Sequence, residues 1–343
     1  MSGAAIIFYT TPKTNEPTTD LPDMLLYILF ALGFVFLIKG ADILVAGSSS
    51  IAKRYGLSDM VVGLTIVSFG TSLPELIINI LSSMQGQSEL AIGNVFGSNV
   101  ANLLLILGVT AIICPLPIKR NTILTEIPFS LIATLLVGFL ANATLINHHE
   151  ELHISRLDGG ILLFFFVLFM AYIYNIAKTN KDEVLEEDEE PLMSIGKSVL
   201  YILLGVVGLF LGGKWVVDGA VSMAQSLGFS ESFIGLTVVA IGTSLPELVT
   251  SAMAAFRRNI DIAVGNVVGS NIFNLLWILG ISAVINPLPF DVVSNSDVVM
   301  MIFASTLLIL AMPIGKKNAI DRWNGIFFLL VYVSYIAFLV MRG

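Results

Sequence analysis

The chain has 343 residues, 56% of them hydrophobic and only 12% charged, with a mean hydropathy of +0.91. A soluble globular domain carries about 25% charged residues, so this chain lacks the polar surface that would keep it in water. The single cysteine, Cys114, excludes a disulfide framework, a zinc cluster and a redox CxxC pair; the net charge of -8 comes largely from one run, Asp182 to Glu190, and does not point to a nucleic-acid partner.

Residues 1–23 are polar and rich in Pro and Thr, lack the basic start of a secretory signal, and read as a short exposed tail. From there the apolar residues fall into blocks long enough to cross a hydrocarbon core. Ten spans are predicted, near 24–46, 58–84, 91–113, 123–142, 157–177, 198–220, 230–256, 263–285, 298–315 and 323–341. The fold class is therefore all-α integral membrane. The segment 178–197 between the fifth and sixth spans carries the acidic run and reads as a solvated linker.

The basic residues sort by side. Twelve of the 17 fall on one face: Lys53, Arg54, Lys119, Arg120, Lys178, Lys181, Lys197, Arg257, Arg258, Lys316, Lys317 and Arg322. Lys13, Arg156 and Arg342 fall on the other, and Lys39 and Lys214 lie inside spans. The positive-inside rule places the first group in the cytoplasm, with the 178–197 linker, and both termini outside.

Comparing the chain with itself at a shift of 172 residues exposes a duplication. Gly63–Leu76 (GLTIVSFGTSLPEL) matches Gly235–Leu248 (GLTVVAIGTSLPEL) at 11 of 14 positions, and Ala91–Asn102 matches Ala263–Asn274 at 8 of 12. Pro115-Leu116-Pro117 repeats as Pro287-Leu288-Pro289, and Gly56 as Gly228. The organisation is thus a tail (1–23), a five-span repeat (24–177), the linker (178–197) and a second repeat (198–343). Five spans is an odd number, so the second repeat enters the membrane from the opposite side. Inverted repeats with broken helices are built around a midplane site.

The duplicated motifs carry the chemistry. GTSLPE places Glu75 and Glu247 deep in apolar spans, where a carboxylate is costly unless it has a partner or faces water. Pro74 and Pro246 remove a helical hydrogen bond each, freeing carbonyls of Gly70 and Gly242, with those of Thr71 and Thr243 beside them, to turn toward a cavity. Helical spacing puts Ser68, Thr71, Ser72 and Glu75 on one face; Ala240, Thr243, Ser244 and Glu247 are the second copy. In the partner spans Ser98 and Asn102 are four apart, as are Ser270 and Asn274, and Gly93/Gly97 and Gly265/Gly269 permit close helix approach. This is an all-oxygen donor set, which suits hard cations such as Ca²⁺ or Na⁺ rather than zinc or copper. Two carboxylates balance one divalent charge, and several Na⁺ could take its place.

At these residues the sequence resembles the Ca²⁺/cation antiporter superfamily, prokaryotic sodium/calcium exchangers in particular. The resemblance covers about residues 24 to 341 and implies ten helices in two inverted halves, alternating-access exchange of Na⁺ for Ca²⁺, and a prokaryotic plasma membrane location. It implies that Glu75 and Glu247 bind Ca²⁺ and Na⁺, that Thr71 and Thr243 give carbonyls, and that Ser72, Ser244, Ser98, Ser270 and the backbones of Ser68 and Ala240 serve Na⁺. Asn102 and Asn274 would complete the centre. Some relatives carry Asp at the position of Asn274; Asn here argues against K⁺ coupling. No resident cofactor and no obligate protein partner are implied, only the ions and the lipid bilayer.

Other readings remain open at this point. A Ca²⁺/H⁺ antiporter on the same fold is possible because a buried Glu can carry a proton. A passive channel fits the single central site poorly. An intramembrane enzyme lacks a Walker A motif or a Ser/His or Cys/His pair in the spans. Lys39/Asp42 and Lys214/Asp218 are expected to pair locally or reach an interface, Cys114 to be buried filler, and the tract His148, His149, Glu150, Glu151, His153 to be a solvated loop.

Overall fold

The computed structural model describes residues 21–146, 152–179, 192–228, 240–313 and 318–342, the side chains of 21–24, 144–146 and 240 aside. Tail residues 21–23 instead begin the first helix, while residues 1–20, the acidic run 182–190, His148 to Glu151, and 230–239 of the seventh span lie outside the described residues. Among them, eight helices are long and apolar enough to cross a membrane, nine with one bent pair, and a shorter apolar helix starts at Leu245.

In chain order the helices are α1 (Leu21–Tyr55), α2 (Asp59–Thr71), α3 (Leu73–Met84), α4 (Ser88–Ile113), α5 (Arg120–Leu124), α6 (Glu126–Ile146) and α7 (Arg156–Thr179). They continue as α8 (Ile195–Ser226), α9 (Ala240–Thr243), α10 (Leu245–Phe256), α11 (Ile260–Ile285), α12 (Asn295–Ala311) and α13 (Arg322–Arg342). Four two-residue strands cap the ends: β1 (Leu116–Pro117), β2 (His153–Ile154), β3 (Leu288–Pro289) and β4 (Ala319–Ile320). β1 pairs antiparallel with β4, and β2 with β3.

The layering follows from burial. The richest windows of α4 and α11 are 72% and 78% buried, whereas that of α7 is only 17% buried. Helices α4 and α11 therefore form the interior, and α1, α7, α8, α12 and α13 turn Leu, Phe and Val side chains outward, as helices in lipid do.

Two helices run longer than the hydropathy predicts. α1 continues past Ala46 to Tyr55, because the polar run Gly47-Ser48-Ser49-Ser50 is packed rather than solvated. Ser48 and Ser50 are buried, and Ser198 of α8 donates or accepts at Ser50 Oγ, 3.1 Å away. α1 ends where Gly56 takes φ 63°, and α8 ends near Gly228 at φ 81°, a conformation glycine adopts without strain.

Small residues let α1 and α8 touch backbone to backbone. A Cβ on Gly40 would sit 3.0 Å from the Gly205 carbonyl, and one on Gly205 2.8 Å from the Gly40 carbonyl. Gly33 and Gly212 show the same reciprocity, at 2.9 and 2.7 Å. Gly33 and Gly40 lie 172 residues before Gly205 and Gly212, so the duplication extends into these helices. The pairing of the earlier glycine of one helix with the later glycine of the other makes them antiparallel.

The ion pair on Asp42 corrects the local pairing expected with Lys39: its partner is Arg257, from the loop after α10. α1 packs on α10, which brings that loop within reach and gives Asp42 a cross-helix partner. Lys214 and Asp218 do pair locally, at 2.7 Å. Cys114 is buried.

Candidate cation site

Both copies of GTSLPE break their helices at the serine. α2 and α3 meet at Ser72 with a bend of 49°. Ser72 has φ −85°, ψ 6° and Ser244 φ −88°, ψ 6°, so the two breaks share one backbone conformation. Pro74 and Pro246 stand in the first turn of the helix that follows, where a missing N–H is harmless. Further irregularity sits in the partner helices: single π-helical stretches span Ala101–Ile106 in α4 and Phe273–Ile278 in α11. They contain Asn102 and Asn274, and such bulges concentrate at functional sites.

The break separates side chains that a straight helix would have kept on one face. The Thr71 hydroxyl donates to Asn266 Oδ1 at 3.1 Å and lies 3.5 Å from Ser270 Oγ. The Ser72 hydroxyl instead donates to Glu247 Oε1 at 3.0 Å, joining the two motifs directly. Ser68 turns back onto carbonyls, at 2.7 Å to Gly63 and 3.0 Å to Asn266. Close approach of α11 permits this: a Cβ on Gly265 would lie 2.9 Å from the Met60 carbonyl, and one on Gly269 2.9 Å from Leu64 Cα.

Glu75 is 0% and Glu247 1% exposed, and neither joins an ion pair among the described residues. Both Glu75 carboxylate oxygens, Glu247 Oε2, Ser98 Oγ, Ser244 Oγ, Asn102 Oδ1 and both amide atoms of Asn274 are buried without a hydrogen-bond partner among those residues. Native interiors leave few polar atoms unpaired. Six of the twelve predicted site residues show such atoms, all of them on the duplicated motifs. Two buried carboxylates without a basic partner call for a cation or a proton to neutralise them, and oxygens of this kind fit a hard cation. No group of three His, Cys, Asp or Glu side chains occurs among the described residues, so the donor set is not one for zinc. Ala240 begins α9, and Thr243 ends it.

Four asparagines and a serine belong to this network that spacing alone did not select. Asn266 Nδ2 donates to Ser251 Oγ at 2.9 Å and reaches the Glu247 carbonyl at 3.5 Å. In the first copy Asn94 Nδ2 donates to Asn79 Oδ1 at 2.6 Å and reaches the Glu75 carbonyl at 3.5 Å. Asn79 and Asn94 lie 172 residues before Ser251 and Asn266, so each broken helix is braced in the same way. Asn102 Nδ2 donates to Asn271 Oδ1 at 2.9 Å. The first and second Asn of GNVFGSN (93–99) and GNVVGSN (265–271) were the available signal, but neither lies four residues after the motif serine as Asn102 and Asn274 do.

The copies are equivalent in sequence but not in contact. Ser72 reaches Glu247, while the counterpart hydroxyl of Ser244 and the counterpart carboxylate of Glu75 are both unpaired among the described residues. Asn102 joins Asn271, while the counterpart Asn99 bonds the Val95 carbonyl at 2.8 Å and Asn274 stays unpaired.

The profile of the sodium/calcium exchanger protein family matches residues 25–175 and 197–341. The chain belongs to this family. It is 32% identical over 343 residues to the sodium/calcium exchanger MaX1 of Methanosarcina acetivorans, covering 91% of this chain and 98% of that one. It is 26% identical to the Ca²⁺/H⁺ antiporter ChaA of Bacillus subtilis, covering 91% and 93%. Among solved structures it superposes on the sodium–calcium exchanger NCX_Mj with a TM-score of 0.76 at 34% identity, covering 92% of this chain and 99% of that one. The chain is thus a multi-pass helical membrane protein with the architecture of an exchanger.

Proposed function

We propose that the protein is a secondary antiporter that exchanges Na⁺ for Ca²⁺ by alternating access. The observation that carries this reading is the Ser72–Glu247 bond, which joins the two duplicated, broken motifs and sets Glu247 against the motif that carries Glu75, both carboxylates being buried. Glu75 and Glu247 hold Ca²⁺ or, in its place, Na⁺. Thr71 and Thr243 offer carbonyls, Asn102 and Asn274 amide oxygens. Ser72, Ser98, Ser244 and Ser270, with the backbones of Ser68 and Ala240, supply the remaining Na⁺ ligands. Ca²⁺ takes about six to eight oxygens, which this set can provide; no cofactor is needed.

The fold in this reading is ten spans in two inverted halves, 24–177 and 198–343, joined by the 178–197 linker. Reciprocal contact of Gly40 with Gly205 and of Gly33 with Gly212 supports it, because a two-fold relation makes each residue of a pair meet the other's counterpart. The terminal strands agree: β1–β4 draws Lys119, Arg120 and Arg322 to one end, and β2–β3 holds Arg156 at the other. The first end faces the cytoplasm of a prokaryotic plasma membrane, and the termini lie outside. Unequal contacts in equivalent halves support alternation: exchanging the Ser72–Glu247 bond for Ser244–Glu75 interconverts two chemically matched arrangements.

The kinship with ChaA gives a second reading, H⁺ as counter-ion. Proteoliposomes separate the two. Ca²⁺ uptake that follows an outward Na⁺ gradient at clamped pH supports Na⁺ coupling; uptake driven by a pH gradient without Na⁺ replaces it with H⁺ coupling.

A further inference from the structure

Away from the centre, each half has a buried carboxylate near the start of its fourth helix, held by a tyrosine of its fifth. In the second half Tyr335 of α13 donates to Asp297 Oδ1 of α12 at 3.0 Å. The charge there is met by Arg342, whose Nη1 and Nη2 lie 3.1 and 3.3 Å from the two carboxylate oxygens. In the first half Tyr172 of α7 donates to Glu126 Oε1 of α6 at 2.7 Å. Glu126 is 3% exposed, and no Lys or Arg pairs with it among the described residues. The neighbouring Lys119 is bound to Asp261 at 2.7 Å, and Arg120 is exposed.

The second Glu126 oxygen, Oε2, is buried and without a partner among the described residues, and so is the hydroxyl of Ser130, one turn along the same helix face. Thr122 and Thr134 extend this buried polar stripe at spacing four, with Thr134 Oγ1 bonded back to the Ser130 carbonyl. Glu126 and Ser130 share one face of α6 and do not bond each other, so one ion ligated by both would satisfy two orphaned oxygens. An isolated buried carboxylate needs what Arg342 gives Asp297, one unit of positive charge. We propose that Glu126 and Ser130 form a second cation site, outside the exchange centre, that takes one small monovalent cation, Na⁺, in the position arginine fills in the other half. Tyr172 neutralises no charge; it orients the carboxyl by satisfying Oε1. The site has one carboxylate where the centre has two, so it prefers a monovalent to a divalent ion. It does not depend on which ion drives exchange.

The test is Na⁺-dependent thermal stability of the full chain in detergent, with K⁺ or choline at matched ionic strength, in a Glu75→Gln/Glu247→Gln background that silences the centre. Na⁺ at about ten times its dissociation constant is expected to raise the melting temperature by on the order of 2–4 °C. Adding Glu126→Gln or Ser130→Ala abolishes that rise. A background variant with no Na⁺ response overturns the proposal, as does a response that survives Glu126→Gln. A rise produced equally by lowering pH without Na⁺ also overturns it, identifying Glu126 as a neutral carboxyl. Should the background variant not be recovered, Glu126→Gln and Ser130→Ala in the otherwise unaltered chain serve instead. Each then lowers the Na⁺-dependent rise and leaves the Ca²⁺-dependent rise intact; loss of both or of neither contradicts the assignment.

Discussion

Replacing Asn266 with leucine, which is similar in size but has no polar atoms, removes the hub of the second half. Asn266 accepts from Thr71 at 3.1 Å and donates to Ser251 at 2.9 Å, fully buried. Helix-to-helix hydrogen bonds in membranes average only about 0.6 kcal/mol because alternative partners are found. A buried group left unpaired costs more, about 1–3 kcal/mol. Thr71 keeps the Ser68 carbonyl at 3.3 Å, so its loss is at the low end, while Ser251 loses the partner it has here. Together the substitution should cost about 2–3 kcal/mol, a fall of about 3–4 °C in melting temperature. Thermal unfolding in detergent, followed by intrinsic fluorescence, reads it. Asn266→Asp is the companion: it keeps the acceptor for Thr71, loses the donor to Ser251 so that the Ser251 hydroxyl must donate instead, and adds a third carboxylate near Glu247, so Ca²⁺ should stabilise it more than it stabilises the unaltered chain. An Asn266→Leu protein that melts within about 1 °C of the unaltered one would refute the hub.

Three other substitutions test separate features. Ser72→Ala removes the hydroxyl that donates to Glu247 at 3.0 Å; a charge-assisted bond contributes about 1.5–3 kcal/mol, so the ion-free protein should melt about 2–4 °C lower, and with Ser72 also lost as an ion ligand, Ca²⁺ affinity should fall by isotope-binding titration. Gly205→Ala drives a methyl to 2.7 Å from Leu44 Cβ and 2.8 Å from the Gly40 carbonyl; overpacking costs about 1–3 kcal/mol, so melting temperature and transport should both drop, whereas Gly196→Ala, which meets nothing within 4 Å among the described residues, should be neutral. Arg342→Met strands Asp297 and should cost about 2 kcal/mol, below the fully buried limit because both side chains are partly exposed; adding Asp297→Asn should restore most of it.

The parts of the molecule that were legible from sequence are those where one residue type has one physical reason to be present. Glu75 and Glu247, 172 residues apart in apolar spans and each directly preceded by a proline, stood out in the sequence, and both are buried. Asn102 and Asn274 were selected by their spacing of four from Ser98 and Ser270, and both are buried. What periodicity missed was geometry created by irregular backbone. The break at Ser72 sends Thr71 toward Asn266 and Ser72 toward Glu247, so a straight-helix projection could group them but not pair them. Asn266 was hidden because buried Asn commonly joins helices, and nothing local distinguishes glue from hub. Asp42 was assigned to its own helix because Arg257 is 215 residues away and only the packing of α1 on α10 brings them together. The Gly33/Gly40 and Gly205/Gly212 matches were present at the same shift, but isolated glycines in apolar spans carry too little sequence signal to be read as a repeat.

The most direct test of the two-carboxylate centre is ⁴⁵Ca²⁺ uptake into Na⁺-loaded proteoliposomes, comparing the unaltered chain with Glu75→Gln and Glu247→Gln. Each glutamine keeps the shape and removes one of the two charges that balance Ca²⁺. Gradient-dependent uptake in the unaltered protein, lost in both folded variants, is the predicted result. Uptake that persists in either variant would contradict the assignment of that glutamate, and with it the exchange of ions at a single shared centre.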